Sequence, residues 1–219
     1  MIDNGCHEPR SRAKAVRDAD ACSILCVTDR KLCGDDFLSR LARIAALRPA
    51  GIILREKDLG EVEYEALARQ VLERCGKTPL VIHGHPKVAR DLGCMQLHLP
   101  LCQLEALSAK ARAGWSQLST SCHSLEEAHR AVGLGCTRIV VGHIFDTHCK
   151  PGVPPRGLAF LQSACAEVAV DVYAIGGITP GRMAAVREAG AAGACMMSGF
   201  MQADDVSSLF EGSMRRSGE

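Results

Sequence analysis

Residues Gln117-Leu-Ser-Thr-Ser-Cys-His-Ser-Leu-Glu-Glu-Ala-His-Arg-Ala-Val132 and then Thr137-Arg-Ile-Val-Val-Gly142 decide how this chain is read. The opening residues 117–121 read as a strand. Ser124 stands as the N-cap of a helix, and Glu127 follows at the third helical position, which is the spacing of a capping box. That helix ends near Val132. The segment 137–142 is rich in β-branched residues and reads as the next strand. Two strands joined by a helix of this length lie parallel, because a parallel pair needs a long crossover.

The same alternation extends in both directions. Strands are expected at 23–27, 51–55, 80–83, 94–97, 172–175 and 193–197. Several, such as Ile52-Ile53-Leu54, are short continuous apolar runs, as in strands buried on both faces. Helices are expected at 36–47, where Phe37, Leu38, Leu41, Ile44 and Ala45 keep helical spacing, then at 62–75, 85–92, around 102–111 and at 158–166. Thr179-Pro180 reads as a cap and first helical position, with Gly190 closing that helix. Eight strand–helix units in 219 residues close naturally into a single-domain (β/α)8 TIM barrel. An open doubly wound sheet is the alternative. The expected organisation is a polar extension at 1–20, the barrel at 21–203 and a helical tail at 204–219.

Composition excludes several classes. Lys and Arg number 26 against 25 Asp and Glu, which leaves no electrostatic case for nucleic acid or an anionic membrane. Aromatics are only 4%, too few for a base-stacking surface. No apolar run is long enough to span a bilayer, and the first residues lack the apolar core of a signal peptide. A cytoplasmic protein is expected, and a homodimer is allowed. The 12 cysteines are scattered without Cys-x-x-Cys pairs and read as reduced thiols. Cys122 and Cys149 lie beside the central histidines and are expected to be packing residues.

In a barrel the chemistry sits at the C-terminal ends of the strands. Read in order, those ends carry Arg55-Glu56-Lys57, His83-Gly84-His85, His98, Ser121-Cys122-His123, Gly142-His143, Gly176-Gly177 and Ser198-Gly199. Gly176, Gly177, Ser198 and Gly199 follow the last two strands, the usual barrel phosphate site, where glycine lets backbone N–H groups approach an anion. Tight turns alone are the plainer reading. Arg55 and Lys57 share a side and suit an anionic group, or else are solvated surface charge. His123 lies two residues after Ser121 and directly before a helix cap. The positive helix end disfavours imidazolium there, and a neutral imidazole can take and return a proton. A structural histidine bonded to backbone is the alternative. His83, His85, His98 and His143 raise a metal site, but no well-placed carboxylate accompanies them.

Taken together, Val27-Thr-Asp-Arg30, Leu54-Arg-Glu-Lys57, Ser121-Cys-His-Ser-Leu-Glu-Glu-Ala128, Gly142-His-Ile-Phe-Asp-Thr-His-Cys-Lys150, Ala174-Ile-Gly-Gly-Ile178 and Met197-Ser-Gly199 resemble the superfamily of thiamine phosphate synthases and TenI-type thiazole tautomerases. The resemblance implies a barrel that binds a thiazole phosphate. The synthase branch couples a pyrimidine diphosphate to that thiazole with magnesium held by aspartates. One belongs to an Asn-Asp pair after the third strand, where this chain has His83-Gly84; a second is expected near Leu99-Pro-Leu-Cys102. Both carboxylates are missing, and magnesium needs hard oxygen ligands. Gly142-His-Ile-Phe145, followed by Thr147, Lys150 and Arg156-Gly157, is closer to the TenI branch, which uses no metal. By that resemblance His123 is the catalytic base. Arg55, Lys57 or Lys150 pairs with the substrate carboxylate, Ser121, His143 and Thr147 shape the pocket, and Gly176, Gly177, Ser198 and Gly199 hold the phosphate. The synthase with Mg2+, and a non-catalytic phosphate-ligand binder, stand as alternatives.

Overall fold

The structure is a computed structural model that describes residues 23–33 and 37–214. The expected extension at 1–20, the first helical residue Asp36 and the end of the tail lie outside the described residues. Eight parallel strands close into a barrel in the order β1 to β8, with β8 pairing back onto β1. They are β1 Ser23–Val27, β2 Gly51–Leu54, β3 Leu80–His83, β4 Gln96–Leu99, β5 Gln117–Cys122, β6 Arg138–Gly142, β7 Asp171–Ile175 and β8 Gly193–Met196. The closed barrel, and not the open sheet, is the architecture.

The helices between them are α1 Phe37–Ala46, α2 Glu61–Cys75, α3 Pro86–Asp91, α4 Leu101–Ala106, α5 Ala109–Arg112, α6 Leu125–Gly133, α7 Gly157–Glu167, α8 Met183–Glu188, α9 Ser198–Gln202 and α10 Val206–Met214. Three expectations are corrected. The fourth strand lies two residues later than 94–97. The helix expected around 102–111 is broken into α4 and α5, with Leu107 extended between them. Thr179 is followed by a 3-10 turn, Pro180–Arg182, and its side chain makes no capping bond.

Alternation along each strand divides the apolar residues into two clusters. Ile24, Cys26, Ile52, Leu54, Ile82 and Val141 face outward onto the helices, and this layer between sheet and helices is the main core. Leu25, Val27, Ile53, Val81, Val140, Tyr173 and Cys195 face inward and fill the barrel. Each such aliphatic side chain removed from water contributes about 1.5–3 kcal/mol. At the N-terminal end the barrel is closed by Arg138, 7% exposed, whose guanidinium lies 4.6 Å from the centre of the Tyr173 ring. Gly193 has to lack a side chain there, since a Cβ would sit 2.2 Å from the Tyr173 ring. The inward residues at the other end are mostly polar, and that end is open.

Candidate active site

A cavity of about 510 Å³ occupies the C-terminal mouth of the barrel. Among the residues lining it are all those expected at the site: Arg55, Lys57, Ser121, His123, His143, Thr147, Lys150, Gly176, Gly177, Ser198 and Gly199. The fold therefore brings together in one cavity residues that come from β2, β5, β6, β7 and β8 or the segments after them.

The end of β2 is arranged by the residue between the two basic ones. Glu56 is 2% exposed and turns away to accept the Thr28 hydroxyl at 2.6 Å and the Arg30 guanidinium at 3.0 Å. Arg55 and Lys57 are thereby left on the cavity side. The Arg55 amide donates to Thr28 Oγ1, and its Nη1 lies 4.0 Å from Met197 Sδ, beside the loop after β8. Lys57 is exposed at the mouth and also lines the cavity, so the two readings of this pair are not exclusive there.

His123 follows β5. Its Nδ1 is 2.7 Å from the carbonyl oxygen of Gly142 at the end of β6. A carbonyl only accepts, so Nδ1 carries a hydrogen, and in the neutral ring the lone pair is on Nε2. The bond to backbone expected of a structural histidine is present, yet it uses only one ring nitrogen. Ser124 caps α6 as expected, accepting the Glu127 amide at 3.1 Å. Glu127 differs from the usual capping box: its carboxylate accepts the amide of His123 rather than that of Ser124. The segment bearing the imidazole is thus held from both sides.

Ser121 belongs to a chain of hydroxyls and imidazole that crosses two strands. The Ser119 hydroxyl donates to the Leu97 carbonyl at 3.1 Å, so it accepts from His98 Nδ1–H at 2.9 Å. His98 Nε2 must then accept from the Ser121 hydroxyl, 3.0 Å away. Burial, first of all, and then the charges of His83, Arg138 and Arg55 hold His98 neutral, well below the usual histidine value. His83 stacks on His98 with ring centres 5.4 Å apart. Burial, then Arg55 and Lys57, lower its pKa to about 4. Sequence raises His98 only as a strand-end histidine for a metal and Glu127 only as a capping residue, and neither of these contacts is expected from it. His98 pairs with Ser119 in the β4–β5 register, a relation that the later placement of β4 creates.

The loop between β6 and α7 is tied to the same carbonyl. Arg156 Nε–H donates to Gly142 O at 3.2 Å, and its amide donates to His143 O at 2.9 Å. The ring of His143, 5% exposed, reaches Val153 O through Nε2 at 3.1 Å. Thr147 Oγ1 accepts the amide of Cys149. Cys122 is buried, as expected of a packing residue, but Cys149 is exposed at the mouth, where the loop lifts it out of the core.

Gly176 and Gly177 take φ values of 96° and 64°, the left-handed region that favours glycine. A Cβ on Gly176 would lie 2.2 Å from His143 Cβ, and one on Gly177 would lie 2.4 Å from Asp146 O. The tight-turn requirement is therefore real, whatever else the loop does. Ser198 begins α9, a short helix that is not among those expected from sequence.

Histidines at these strand ends do not converge on a metal. Among the described residues no three of His, Cys, Asp or Glu form a group able to hold one. Glu127 is the one carboxylate among the described residues lining the cavity, and it already accepts the His123 amide.

Comparison with known proteins agrees with this architecture. A thiamine monophosphate synthase family model matches residues 24–200. The chain is 31% identical over 190 residues to a thiamine-phosphate synthase of Syntrophomonas wolfei, covering 84% of this chain and 90% of the relative. A thiamine-phosphate synthase of a Roseiflexus species is 32% identical over 184 residues, covering 82% and 78%. Among solved structures, a thiamine phosphate pyrophosphorylase from Pyrococcus furiosus superposes with a TM-score of 0.75 at 22% identity, covering 89% of this chain and 95% of that one. That likeness bears on the fold alone. These relatives are named as synthases, so the distinction drawn above between the two branches rests on residues of this chain. With the match spanning the barrel from β1 into α9, the chain belongs to the thiamine monophosphate synthase (TMP-TENI) family.

Proposed function

We propose that this protein is a thiazole tautomerase of thiamine biosynthesis, an isomerase that aromatises a thiazole carboxylate phosphate by moving one proton. The observation that carries this reading is the His123–Gly142 bond: it occupies Nδ1 as a donor, so that in the neutral ring Nε2 is the nitrogen with a free lone pair, on a residue that lines the cavity. Nε2 takes the proton from the ring carbon that bears the carboxylate. The electron pair moves through the ring, and the imidazolium returns the proton to the exocyclic alkene carbon. A positioned base of this kind contributes roughly 10²–10⁴ in rate. Arg55, Lys57 or Lys150 pairs with the carboxylate. Ser121, with its proton turned toward His98, offers lone pairs to the ligand. The loop of Gly176 and Gly177 and the first turn of α9, with Ser198 and Gly199, hold the phosphate.

A second reading, a magnesium-dependent thiamine phosphate synthase, is favoured by the names of the curated relatives. The donor set of this cavity does not fit that metal. Magnesium takes carboxylate and other hard oxygen ligands, and the places expected to supply aspartate are His83-Gly84 and Leu99-Pro-Leu-Cys102. One experiment separates the readings. The purified protein is given the thiazole carboxylate phosphate in D2O, and, separately, a pyrimidine diphosphate with thiazole phosphate and Mg2+. Deuterium uptake with aromatisation supports the tautomerase; release of diphosphate with coupling overturns it. Binding of thiazole phosphate with neither reaction leaves the non-catalytic binder.

A further inference from the structure

Lys57 has chemistry beyond pairing with a carboxylate. It stands at the cavity mouth close to Arg55 and to Lys150 from the loop after β6. Among the described residues none of these three cations forms an ion pair. The acidic groups beside them are engaged elsewhere, Glu56 by Thr28 and Arg30, and Asp58 by Arg30 and Lys31. Arg55, then partial burial, then Lys150 lower the pKa of Lys57 from the ordinary lysine value. Crowding by cations is one of the ways a lysine keeps its lone pair available for attack on a carbonyl.

Two neighbours complete the arrangement. His83, neutral because its pKa is pushed down to about 4, lines the same cavity. A neutral imidazole can carry a proton from an attacking nitrogen to a leaving oxygen. The Arg55 contact with Met197 brings the end of β2 beside Ser198, with only β1 between β2 and β8 in the barrel. An aldehyde carrying a phosphate would thus meet an anion-binding loop and an amine within one cavity.

We propose that Lys57 is a carbonyl-capturing amine that forms a Schiff base with small phosphorylated aldehydes whose phosphate is held by the loops after β7 and β8. The inference rests on the phosphate-binding part of the function proposed above and not on its proton transfer. In the step, the Nζ lone pair attacks the carbonyl carbon and the C=O π pair moves to oxygen. The proton that the ammonium gives up to free this lone pair is carried by His83; a second proton passes from nitrogen to the new alkoxide oxygen, and the proton on His83 then reaches the resulting hydroxyl, which leaves as water while the C=N bond forms. One ammonium and one aldehyde give one protonated imine and one water, with no oxidant or reductant.

Pyridoxal 5′-phosphate, an aldehyde that carries a phosphate, is a suitable probe on the full chain. Adducts are fixed with borohydride and located by peptide mass mapping. Lys57 is expected to label roughly tenfold faster than the exposed Lys77 and Lys110, because a held phosphate places the aldehyde beside its amine. Inorganic phosphate should slow labelling at Lys57, pyridoxal lacking the phosphate should show no preference, and Lys57→Arg should remove the fast site. Labelling of Lys57 no faster than of Lys77 and Lys110 overturns the proposal. So does a preference that inorganic phosphate leaves unchanged or that pyridoxal shares. The readout needs no turnover: preferential capture by a protein without tautomerase activity sinks the proton transfer and keeps this inference, and the converse result does the opposite.

Discussion

The imidazole of His123 and the backbone of Gly142 meet across the β5–β6 seam, Nδ1 to carbonyl oxygen at 2.7 Å. A side chain on one strand end is thereby oriented by the main chain of the next. A side chain on Gly142 would put its Cβ 2.3 Å from Ile175 O and displace that carbonyl, so variation at His123 itself is the informative test. His123→Asn should lower the rate of proton exchange by roughly 10²–10⁴. Its effect on folding should stay near the ~1 kcal/mol of one hydrogen bond. Deuterium exchange followed by NMR, with a urea titration beside it, reads both; undiminished exchange removes His123 from the reaction.

Stability should fall in mild acid because of His83 and His98. Both are held neutral in the folded state, His83 with a pKa of about 4 and His98 well below the usual value. In the unfolded chain they titrate near 6.5. Between those values the unfolded state binds more protons, so the stabilisation present above pH 6.5 is lost as the pH drops toward the folded values. Each group adds a slope of up to ~1.4 kcal/mol per pH unit. Urea midpoints between pH 7 and pH 4.5 should show this, and His98→Gln should flatten the curve. An identical slope in that variant would exclude His98 as a source.

The two glycine-bearing loops should respond differently to small changes. Gly176→Ala places a methyl 2.2 Å from His143 Cβ at a φ of 96°, and should cost ~2 kcal/mol or more. Ser198→Ala removes only a hydroxyl at the start of α9. It should leave the melting temperature alone and weaken phosphate binding about tenfold, the loss of one charge-assisted bond. Calorimetry with inorganic phosphate measures the second effect, and unchanged affinity would take the Ser198 hydroxyl out of the clamp.

Chelation should be without consequence for the proposed isomerisation. The one carboxylate among the described cavity residues, Glu127, is bound to the His123 amide. Turnover after dialysis against EDTA should match the untreated enzyme, and added Mg2+ should not raise it. A fall restored by Mg2+ would favour the synthase.

Much of this was legible from sequence where a residue's own neighbours fix its place. The strands Ser23–Val27 and Leu80–His83 stand where their apolar runs put them. The helix after Ser124 is set by a local cap. Reading failed where the barrel interior breaks the apolar pattern. Cys94 and Met95 look like the start of β4, yet the strand runs through Gln96 and His98, with His98 turned inward to the serines of β5. Glu127 was seen as a cap residue, but its role toward the His123 amide depends on a turn that spacing does not reveal. The partner of His123 is a main-chain carbonyl, which no side-chain motif can announce.

Arg138 gives the barrel a one-way interior. Its guanidinium lies over the Tyr173 ring at the end away from the cavity, buried among the inward residues. A proton moving along the axis from below would have to pass a fixed positive charge in a region of low polarity, where like-charge repulsion is strong. Exchange between the cavity and solvent therefore runs through the mouth, past Lys57, Lys150 and the loop that Arg156 fastens. In the proposed isomerisation, a proton held on His123 would thus meet solvent only through that mouth.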